Sequence, residues 1–464
     1  NTFMTLIKSI SGIRGTIGGK PSDNLTPIDI VRFTAAYGQY ILSHTDASKC
    51  SIVIGRDARI SGAMVQALVS NTLVGMGIDV IDLAMATTPT VEMVVPRANA
   101  QGGIILTASH NPKQWNALKL LDANGEFLSA EAGAQILALA EQEDFNFASV
   151  DDLGSVTADD TSLYMHIQAV LNHPLVSLES IRSSGFKVVV DGVNSIGGIA
   201  IPALLKELNI EVIELFCEPN GQFPHNPEPL KEHLGDLSAL VIESGADLGL
   251  VVDPDVDRLA FMDENGAMFG EEYTLVACAD YVLSKTPGNT VSNMSSTRAL
   301  RDVTEKHGGT YYSSAVGEVN VVTKMKAVNA VIGGEGNGGI IDPQLHYGRD
   351  SLIGTALFLS LLSVRKLSVS ELKKTYPEYF MSKGKIELEP TMDVDALLLA
   401  IEKKYANNKP NTVDGVKIDF EASWVHLRKS NTEPIIRVYT EAPSQEAADL
   451  LMNRFKEELL ALGN

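Results

Sequence analysis

Short apolar runs bounded by turn residues alternate along this chain with stretches whose apolar positions recur at helical spacing. In the first third, Ser51-Ile-Val-Ile-Gly55, Asp79–Leu83 and Gly103–Leu106 read as strands, the last of them an uninterrupted apolar run of the kind that is buried. Predicted helices lie between them. Thr26 is an N-cap candidate with Pro27 at the first helical position, and apolar spacing continues through Ile41; a second helix covers about 62–76, and a third precedes Gly103. This alternation predicts an α/β fold with a largely parallel sheet.

The pattern restarts twice. Phe186–Asp191 is a strand followed by a glycine-bearing turn and a helix through Leu208, with further strands at Glu211–Leu215 and Ala246–Val252. Asn289–Val291, a helix near 297–307, Thr310–Tyr312, a helix near 319–327 and Ala330–Ile332 form a third set, and a helix over 351–363 follows. No repeat is visible residue by residue, so the similarity is one of fold. From about Tyr379 the rhythm changes. Lys385–Leu388, Val416–Phe420, Ser423–Leu427 and Pro434–Tyr439 read as strands, with helices near 393–405 and 444–462, which makes a small α+β domain. The expected domains are 1–160, 161–268, 269–376 and 377–464, with linkers near 155–165, 265–272 and 366–382; polar Ala148–Asp160 is the most linker-like stretch.

Composition adds bounds rather than a fold. With 464 residues, 45% hydrophobic and 20% charged, the chain has the makeup of an ordinary globular protein of several domains. A net charge of −21 argues against nonspecific binding to nucleic acid or to an anionic membrane. An anionic ligand needs a focused basic pocket, which 37 Lys and Arg residues can supply. Cys50, Cys217 and Cys278 lack the spacing of zinc or redox sites and read as buried thiols in a reducing compartment. No signal-peptide pattern opens the chain, and no run approaches the ~18 apolar residues of a membrane span, so a cytoplasmic location is expected.

Four stretches carry candidate chemistry. Thr107-Ala-Ser-His-Asn-Pro112 delivers Ser109 and His110 at a strand's end, in a turn closed by a proline; alone it reads first as an ordinary turn, and its partners decide. Val251-Val-Asp-Pro-Asp-Val-Asp-Arg258 sets three aspartates at alternate positions after a buried strand. Their mutual repulsion calls for a hard divalent cation, and the run lacks the glycine and glutamate of a calcium loop, which favours magnesium over an acidic turn. Arg258 suits a carboxylate or a phosphate. Arg428-Lys-Ser-Asn-Thr-Glu-Pro434, with Arg437 beyond, joins guanidinium groups to short hydroxyl and amide side chains, the donors that grip phosphate, or else forms a hairpin turn. Gly333-Gly-Glu-Gly-Asn-Gly-Gly339 is a poor dinucleotide fingerprint, but Glu335 and Asn337 suit sugar hydroxyls. Among the remaining basic candidates, Arg14 lies in a glycine-punctuated loop, Lys119 on an apolar segment, and His346 and Arg349 in a loop where His346 reads as a surface residue.

Together these stretches resemble the α-D-phosphohexomutase family, in order and spacing, over essentially the whole chain: Thr107–Pro112 its phosphoserine loop, Asp253–Arg258 its metal loop, Gly334–Gly339 its sugar loop and Arg428–Pro434 its phosphate loop. The resemblance implies three related α/β domains with mixed, largely parallel sheets and a C-terminal α+β domain of TATA-box-binding-protein-like class, around a central cleft. It implies that Ser109 carries a phosphoryl group, and that Ser109, Asp253, Asp255 and Asp257 hold one Mg²⁺ per chain. The phosphoryl group passes to a hexose monophosphate, giving a hexose 1,6-bisphosphate that is both intermediate and activator. Arg14 and Lys119 match positions near the reacting oxygens, and His110 joins the catalytic candidates with its role open. Arg258, Glu335, Asn337, Arg428, Ser430, Asn431, Thr432 and Arg437 become candidates for substrate binding. Pro254 stands where many members have glycine, and Gly339 where many bacterial members have histidine, so the acid–base groups are not carried over. The Gly-Glu-Gly-Asn-Gly-Gly loop resembles archaeal-type phosphoglucosamine mutases; phosphoglucomutase/phosphomannomutase is the alternative.

The residues alone also allow a magnesium-dependent phosphatase with Asp253 as nucleophile, or a non-catalytic phosphosugar-binding protein. The expected partner is a phosphosugar substrate, with neither nucleic acid nor membrane, in a monomer or homodimer.

Overall fold

The structure, a computed structural model, describes residues 4–9, 12–430 and 433–463. The chain divides into two compact units, one running to Thr274 and including Gly338–Ser370, the other comprising Leu275–Asn337 and the chain from Glu371 onward.

The first unit opens with β1 (Ile7–Ser9), β2 (Gly12–Thr16), α1 (Pro27–Ser43), β3 (Ser51–Arg56), α2 (Gly62–Gly75), β4 (Asp79–Met85), α3 (Thr88–Arg97), β5 (Gly102–Leu106), β6 (Trp115–Leu121), α4 (Ala130–Gln142) and β7 (Val156–Ala158). The sheet order is β1-β2-β6-β5-β3-β4-β7. Pairing is parallel among β5, β3, β4 and β7 and antiparallel from β5 outward through β6 to β1. Alternate side chains of β3 explain its apolar centre: Ile52 and Ile54 enter the core with α1, α2 and α4, while Val53 packs against Val91, Val94 and Val95 of α3. Thr26 caps α1 as expected, in a reciprocal box with Asp29, and Pro27 occupies the first turn. The stretch read as a linker instead supplies β7, an exposed three-residue edge strand hydrogen-bonded beside β4. Three exposed residues, Val-Thr-Ala, within a polar stretch are too few to show a strand's alternation, which concealed it.

After α5 (Ser162–Leu171) and α6 (Leu178–Arg182) come β8 (Lys187–Asp191), α7 (Gly197–Glu207), β9 (Glu211–Leu215), α8 (Gly235–Ser244), β10 (Leu248–Val252) and β11 (Leu259–Met262), in the order β11-β10-β8-β9. β10 and β11 pair antiparallel with Val252 opposite Leu259, so the aspartate run is the loop of a hairpin.

Helix α9 (Glu271–Lys285) leads to β12 (Thr290–Asn293), α10 (Ala299–Lys306), β13 (Tyr311–Ser314), α11 (Glu318–Val328) and β14 (Ile332–Glu335). In the second unit β13 and β14 pair in parallel on either side of β12. β14 runs through Gly333 and Gly334 to Glu335, beyond the strand read at Ala330–Ile332, because buried glycine backbone still pairs with β12. β15 (Gly339–Ile341) and α12 (Ser351–Arg365) belong to the first unit. The remaining elements are α13 (Val369–Lys373), β16 (Phe380–Glu387), α14 (Val394–Lys404), β17 (Val416–Asp419), β18 (Trp424–Lys429), β19 (Ile435–Ala442) and α15 (Gln445–Leu462). The last four strands form an antiparallel sheet, β16-β19-β18-β17, packed through Val416, Val425, Ile436 and Val438 onto Leu397, Ile401, Phe455 and Leu459 of the two helices. This is the expected separate α+β domain. β16 begins at Phe380 rather than Lys385 because it pairs along all of β19.

Among the described residues no helix is long and apolar enough to cross a membrane. All three cysteines are free thiols; Cys50 and Cys278 are buried, whereas Cys217 is partly exposed, unlike the buried thiol expected there.

Candidate active site

Ser109 lies in the loop between β5 and β6 with φ +51°, a left-handed conformation that non-glycine residues seldom adopt. The surroundings hold it there. Its N–H donates to Thr107 Oγ1 at 3.0 Å, and that hydroxyl donates to Asp57 Oδ2 at 2.5 Å. Arg59, wholly buried just beyond β3, pairs with Asp57 at 3.1 Å and donates to four loop carbonyls: Ser109 at 2.6 Å, Asn111 at 2.8 Å, Pro112 at 2.7 Å and Trp115 at 3.0 Å. One planar guanidinium thus sets the loop's curvature. The Ser109 hydroxyl donates to Asp253 Oδ2 at 3.2 Å.

In the β10–β11 loop, Val256 also takes a left-handed φ, +67°, at a cost of about 1–2 kcal/mol for a β-branched residue. Bonds from Val256 N–H to the Asp253 carbonyl (3.1 Å) and from Ser351 N–H to the Val256 carbonyl (3.2 Å) maintain it. Asp253 Oδ1 accepts from the N–H groups of Asp257 and Arg258 at 3.1 and 3.0 Å. Asp255 Oδ2 accepts from Thr88 Oγ1 at 2.7 Å and Lys119 Nζ at 3.3 Å, and Asp257 Oδ2 from Arg349 at 2.8 Å.

The three aspartates are essentially inaccessible to solvent and offer ligand atoms within 4.8 Å of one another. Burial first, then the charges of Asp255 and Asp257, push the Asp253 carboxyl well above its ordinary range. Burial acts on Asp257 in the same sense but is outweighed by Arg349 and Lys119, so Asp257 titrates below its ordinary range. Asp255 Oδ1 and Asp257 Oδ1 are buried without a hydrogen-bond partner. Orphaned anionic oxygens in a dry site are what a hard divalent cation satisfies, so the donor set fits Mg²⁺.

Cations surround this site. Arg14 on β2 lies opposite Ala117 of β6, which puts it on the same sheet face as Lys119, two residues along. Its Nη1 donates to Asn111 Oδ1 at 2.7 Å. Lys119 does not snorkel: it is 5% exposed and bound to Asp255. Arg258 lies 3.9 Å from Asp253 and 3.8 Å from Glu228, beside carboxylates in this structure. His110 has a buried Nδ1 without a partner, and burial, with Arg258, Arg14 and Lys119, pulls its pKa down to about 3, so the ring is neutral at working pH. His346 departs from the surface reading. It donates to Asp350 Oδ2 at 2.9 Å beside fully buried His166 at 2.7 Å, while Asp350 Oδ1 caps α12. The segment bearing Arg349 is thereby tied to the helix.

In the second unit, Glu335 ends β14 and its Oε1 accepts from Asn293 Nδ2 at 3.0 Å and Gly317 N–H at 3.3 Å. Asn337, partly buried, follows. Arg428 and Arg437 are direct cross-strand partners of β18 and β19 and so share a face; Arg437 is exposed, and Arg428 Nε donates to Asp414 Oδ1 at 3.0 Å. Ser430 Oγ accepts from Glu433 N–H at 3.3 Å in the same hairpin, and Asn431 and Thr432 lie outside the described residues.

Arg59, Asp57 and Thr88 carried no assigned role in the sequence reading. A charged pair immediately after a fully apolar strand was the available signal for the first two. Thr88 left none, since its partner Asp255 is 167 residues away.

A serine on a braced loop beside a buried acidic triad, in a chain of α/β domains with an antiparallel C-terminal domain, defines a phosphohexomutase architecture. Comparison with known proteins agrees. The chain matches the models for phosphoglucomutase/phosphomannomutase alpha/beta/alpha domains I, II and III at residues 6–147, 164–266 and 262–379, and the C-terminal domain at 387–458. It is 35% identical to a phosphoglucomutase/phosphomannomutase of Thermococcus kodakarensis, covering 94% of this chain and 95% of that protein. It is 32% identical to a probable phosphoglucosamine mutase of Methanopyrus kandleri, covering 96% of each. A phosphoglucomutase/phosphomannomutase family structure from Burkholderia thailandensis superposes with a TM-score of 0.83 at 24% identity, over 99% of this chain and 97% of that one. The chain belongs to the phosphoglucomutase/phosphomannomutase family and is a phosphohexomutase, an isomerase.

Proposed function

We propose that the chain interconverts glucosamine 6-phosphate and glucosamine 1-phosphate. Phosphorylated Ser109 gives its phosphoryl group to the sugar's free hydroxyl. The resulting 1,6-bisphosphate turns over, and its other phosphoryl group returns to Ser109 Oγ, regenerating the phosphoserine and releasing the isomer. The observation that carries the phosphoserine reading is the Ser109 hydroxyl held 3.2 Å from a buried triad in which Asp255 Oδ1 and Asp257 Oδ1 lack partners. Asp253, Asp255, Asp257 and an oxygen of the phosphorylated serine would hold one Mg²⁺, which when bound neutralises charge on the transferring group. Arg59 fixes the loop carrying the nucleophile. Arg14 and Lys119 oppose charge that builds on the equatorial oxygens. A pKa near 3 makes His110 a weak base, so its role is that of a neutral hydrogen-bonding group. Asp253 already accepts from two backbone amides and from Ser109, which supports a ligand's role over that of a phosphatase nucleophile.

Donors and acceptors of the second unit suit the parts of the substrate that do not react. Arg428, Ser430, Asn431, Thr432 and Arg437 would grip the idle phosphate, with Arg258 as a further candidate, and Glu335 and Asn337 the ring substituents. The Glu335 carboxylate, at the end of β14 and beside glycines whose backbone leaves room for a ligand, favours glucosamine, from whose protonated amine it can accept a hydrogen bond. Identity of 30–32% to several phosphoglucosamine mutases supports this choice. Phosphoglucomutase/phosphomannomutase activity is the second reading, favoured by the 35% identity with the Thermococcus kodakarensis protein. The free cysteines support a reducing, cytoplasmic setting. Turnover of glucosamine 6-phosphate and glucose 1-phosphate, each primed with its 1,6-bisphosphate, decides between them: higher kcat/KM on glucosamine phosphate is expected, and about tenfold preference for glucose phosphate overturns the assignment.

A further inference from the structure

A cavity of about 190 Å³ in the second unit, lined by Ser296, Arg298, Arg301, Tyr311, Ser313, Lys417 and Asp419, belongs to none of the motifs above. Three of its side chains are cationic and one is a carboxylate, and that carboxylate is already committed, since Asp419 Oδ1 accepts from Arg298 at 2.8 Å. Lys417 is 7% exposed. Its ammonium lies 4.6 Å from the ring centre of fully buried Trp424 and has no hydrogen-bond partner among the described residues. The Nε–H groups of Arg298 and Arg301 are also buried without partners. Asp302 lies 3.9 Å from Arg301, and Asp419 and buried Glu441 oppose the charge of Lys417, so the cations are balanced; the Lys417 ammonium and the two buried Nε–H groups are nonetheless donors without acceptors at one small cavity, and folding does not explain them, because an unmet buried donor opposes it. An apolar residue of Lys417's length would cover Trp424 equally well.

We propose that this cavity is a binding site for a small oxyanion of the phosphate type, held by Lys417 and Arg301 with Arg298 behind them. A phosphate offers several acceptor oxygens, matching the surplus of donors, and its negative charge suits the ammonium and guanidinium groups that carry them. None of the residues of the Arg428 hairpin lines the cavity, so the site is distinct from the proposed grip on the substrate's phosphate. The ion is either inorganic phosphate or the phosphoryl group of a free phosphomonoester.

Trp424 reports on its neighbour, and the chain has only one other tryptophan, Trp115. Full-length Trp115→Phe protein carrying Arg428→Gln, which disables the proposed substrate grip, is titrated with inorganic phosphate and separately with glycerol 3-phosphate, by fluorescence and by calorimetry. A saturable response is expected, weakened about tenfold or more by Lys417→Met and by Arg301→Gln. A response to both ligands assigns the site to phosphomonoesters, and a response to phosphate alone to the inorganic ion. No saturable binding of either, or binding unchanged by both substitutions, overturns the proposal. Arg301 is partly exposed, so its variant keeps the test decisive if Lys417→Met fails to fold.

Discussion

Replacing Arg59 by lysine tests whether one guanidinium shapes the catalytic loop. The wild-type side chain is wholly buried and makes five hydrogen bonds, one to Asp57 and one each to the carbonyls of Ser109, Asn111, Pro112 and Trp115. Lysine keeps the charge but offers three donors from a single nitrogen, which cannot span four carbonyls and a carboxylate. Each lost hydrogen bond to a charged group is worth about 1.5–3 kcal/mol. Partial rescue by the retained ammonium brings the expected loss for Arg59→Lys to about 3 kcal/mol, a fall of roughly 6–12 °C in Tm at about 2–4 °C per kcal/mol. Arg59→Met, which strands Asp57 in the interior, costs a further increment on the scale of about 3–5 kcal/mol for a broken buried pair. With Ser109 released from its left-handed φ, displacement of the nucleophile by about 1 Å lowers kcat about a hundredfold. Calorimetry gives the first quantity and a coupled mutase assay the second. An Arg59→Lys enzyme with wild-type Tm and kcat refutes the reasoning.

Removing metal with a chelator should abolish turnover reversibly, with Mg²⁺ restoring it, and Asp255→Asn should remain inactive at any Mg²⁺ concentration. Glu335→Gln should lower kcat/KM for glucosamine 6-phosphate more than for glucose 6-phosphate, because only the former presents an ammonium; equal losses would remove the argument for glucosamine. His426 makes stability pH-dependent: burial, with Lys417 and Arg428, lowers its pKa to about 4 from an unfolded value near 6.5. The unfolded chain therefore takes up a proton that the folded protein refuses, and stability present above about pH 6.5 is lost as pH falls toward 4, by about 3 kcal/mol. Thermal melts from pH 7 to 4.5 should show a shallower decline for His426→Gln than for wild type.

Local runs were legible in the sequence, and long-range supports were not. Ser109 and Asp253–Arg258 stand out because a buried apolar strand abruptly delivers hydroxyl or carboxylate groups. That same locality hides Thr88, whose partner comes from another domain's loop, and Arg349, whose bond to Asp257 spans 92 residues. His346 read as a surface residue because it lies in a loop ahead of a helix, but its bond to Asp350 at the start of α12 draws it inward. β7 was missed because three residues within a polar stretch are too short to show alternation, and β14 was cut short because glycine has no side chain with which to signal a strand. The C-terminal sheet was readable because half-buried strands alternate.

The central claim is that Ser109 carries the phosphoryl group. Intact-protein mass spectrometry with fragmentation, after incubation with glucosamine 1,6-bisphosphate and Mg²⁺, tests it most directly. The account expects one phosphoryl group on Ser109, discharged by glucosamine monophosphate and absent in an inactive Ser109→Ala protein. A phosphoryl group on Asp253, or full turnover by Ser109→Ala, would contradict it.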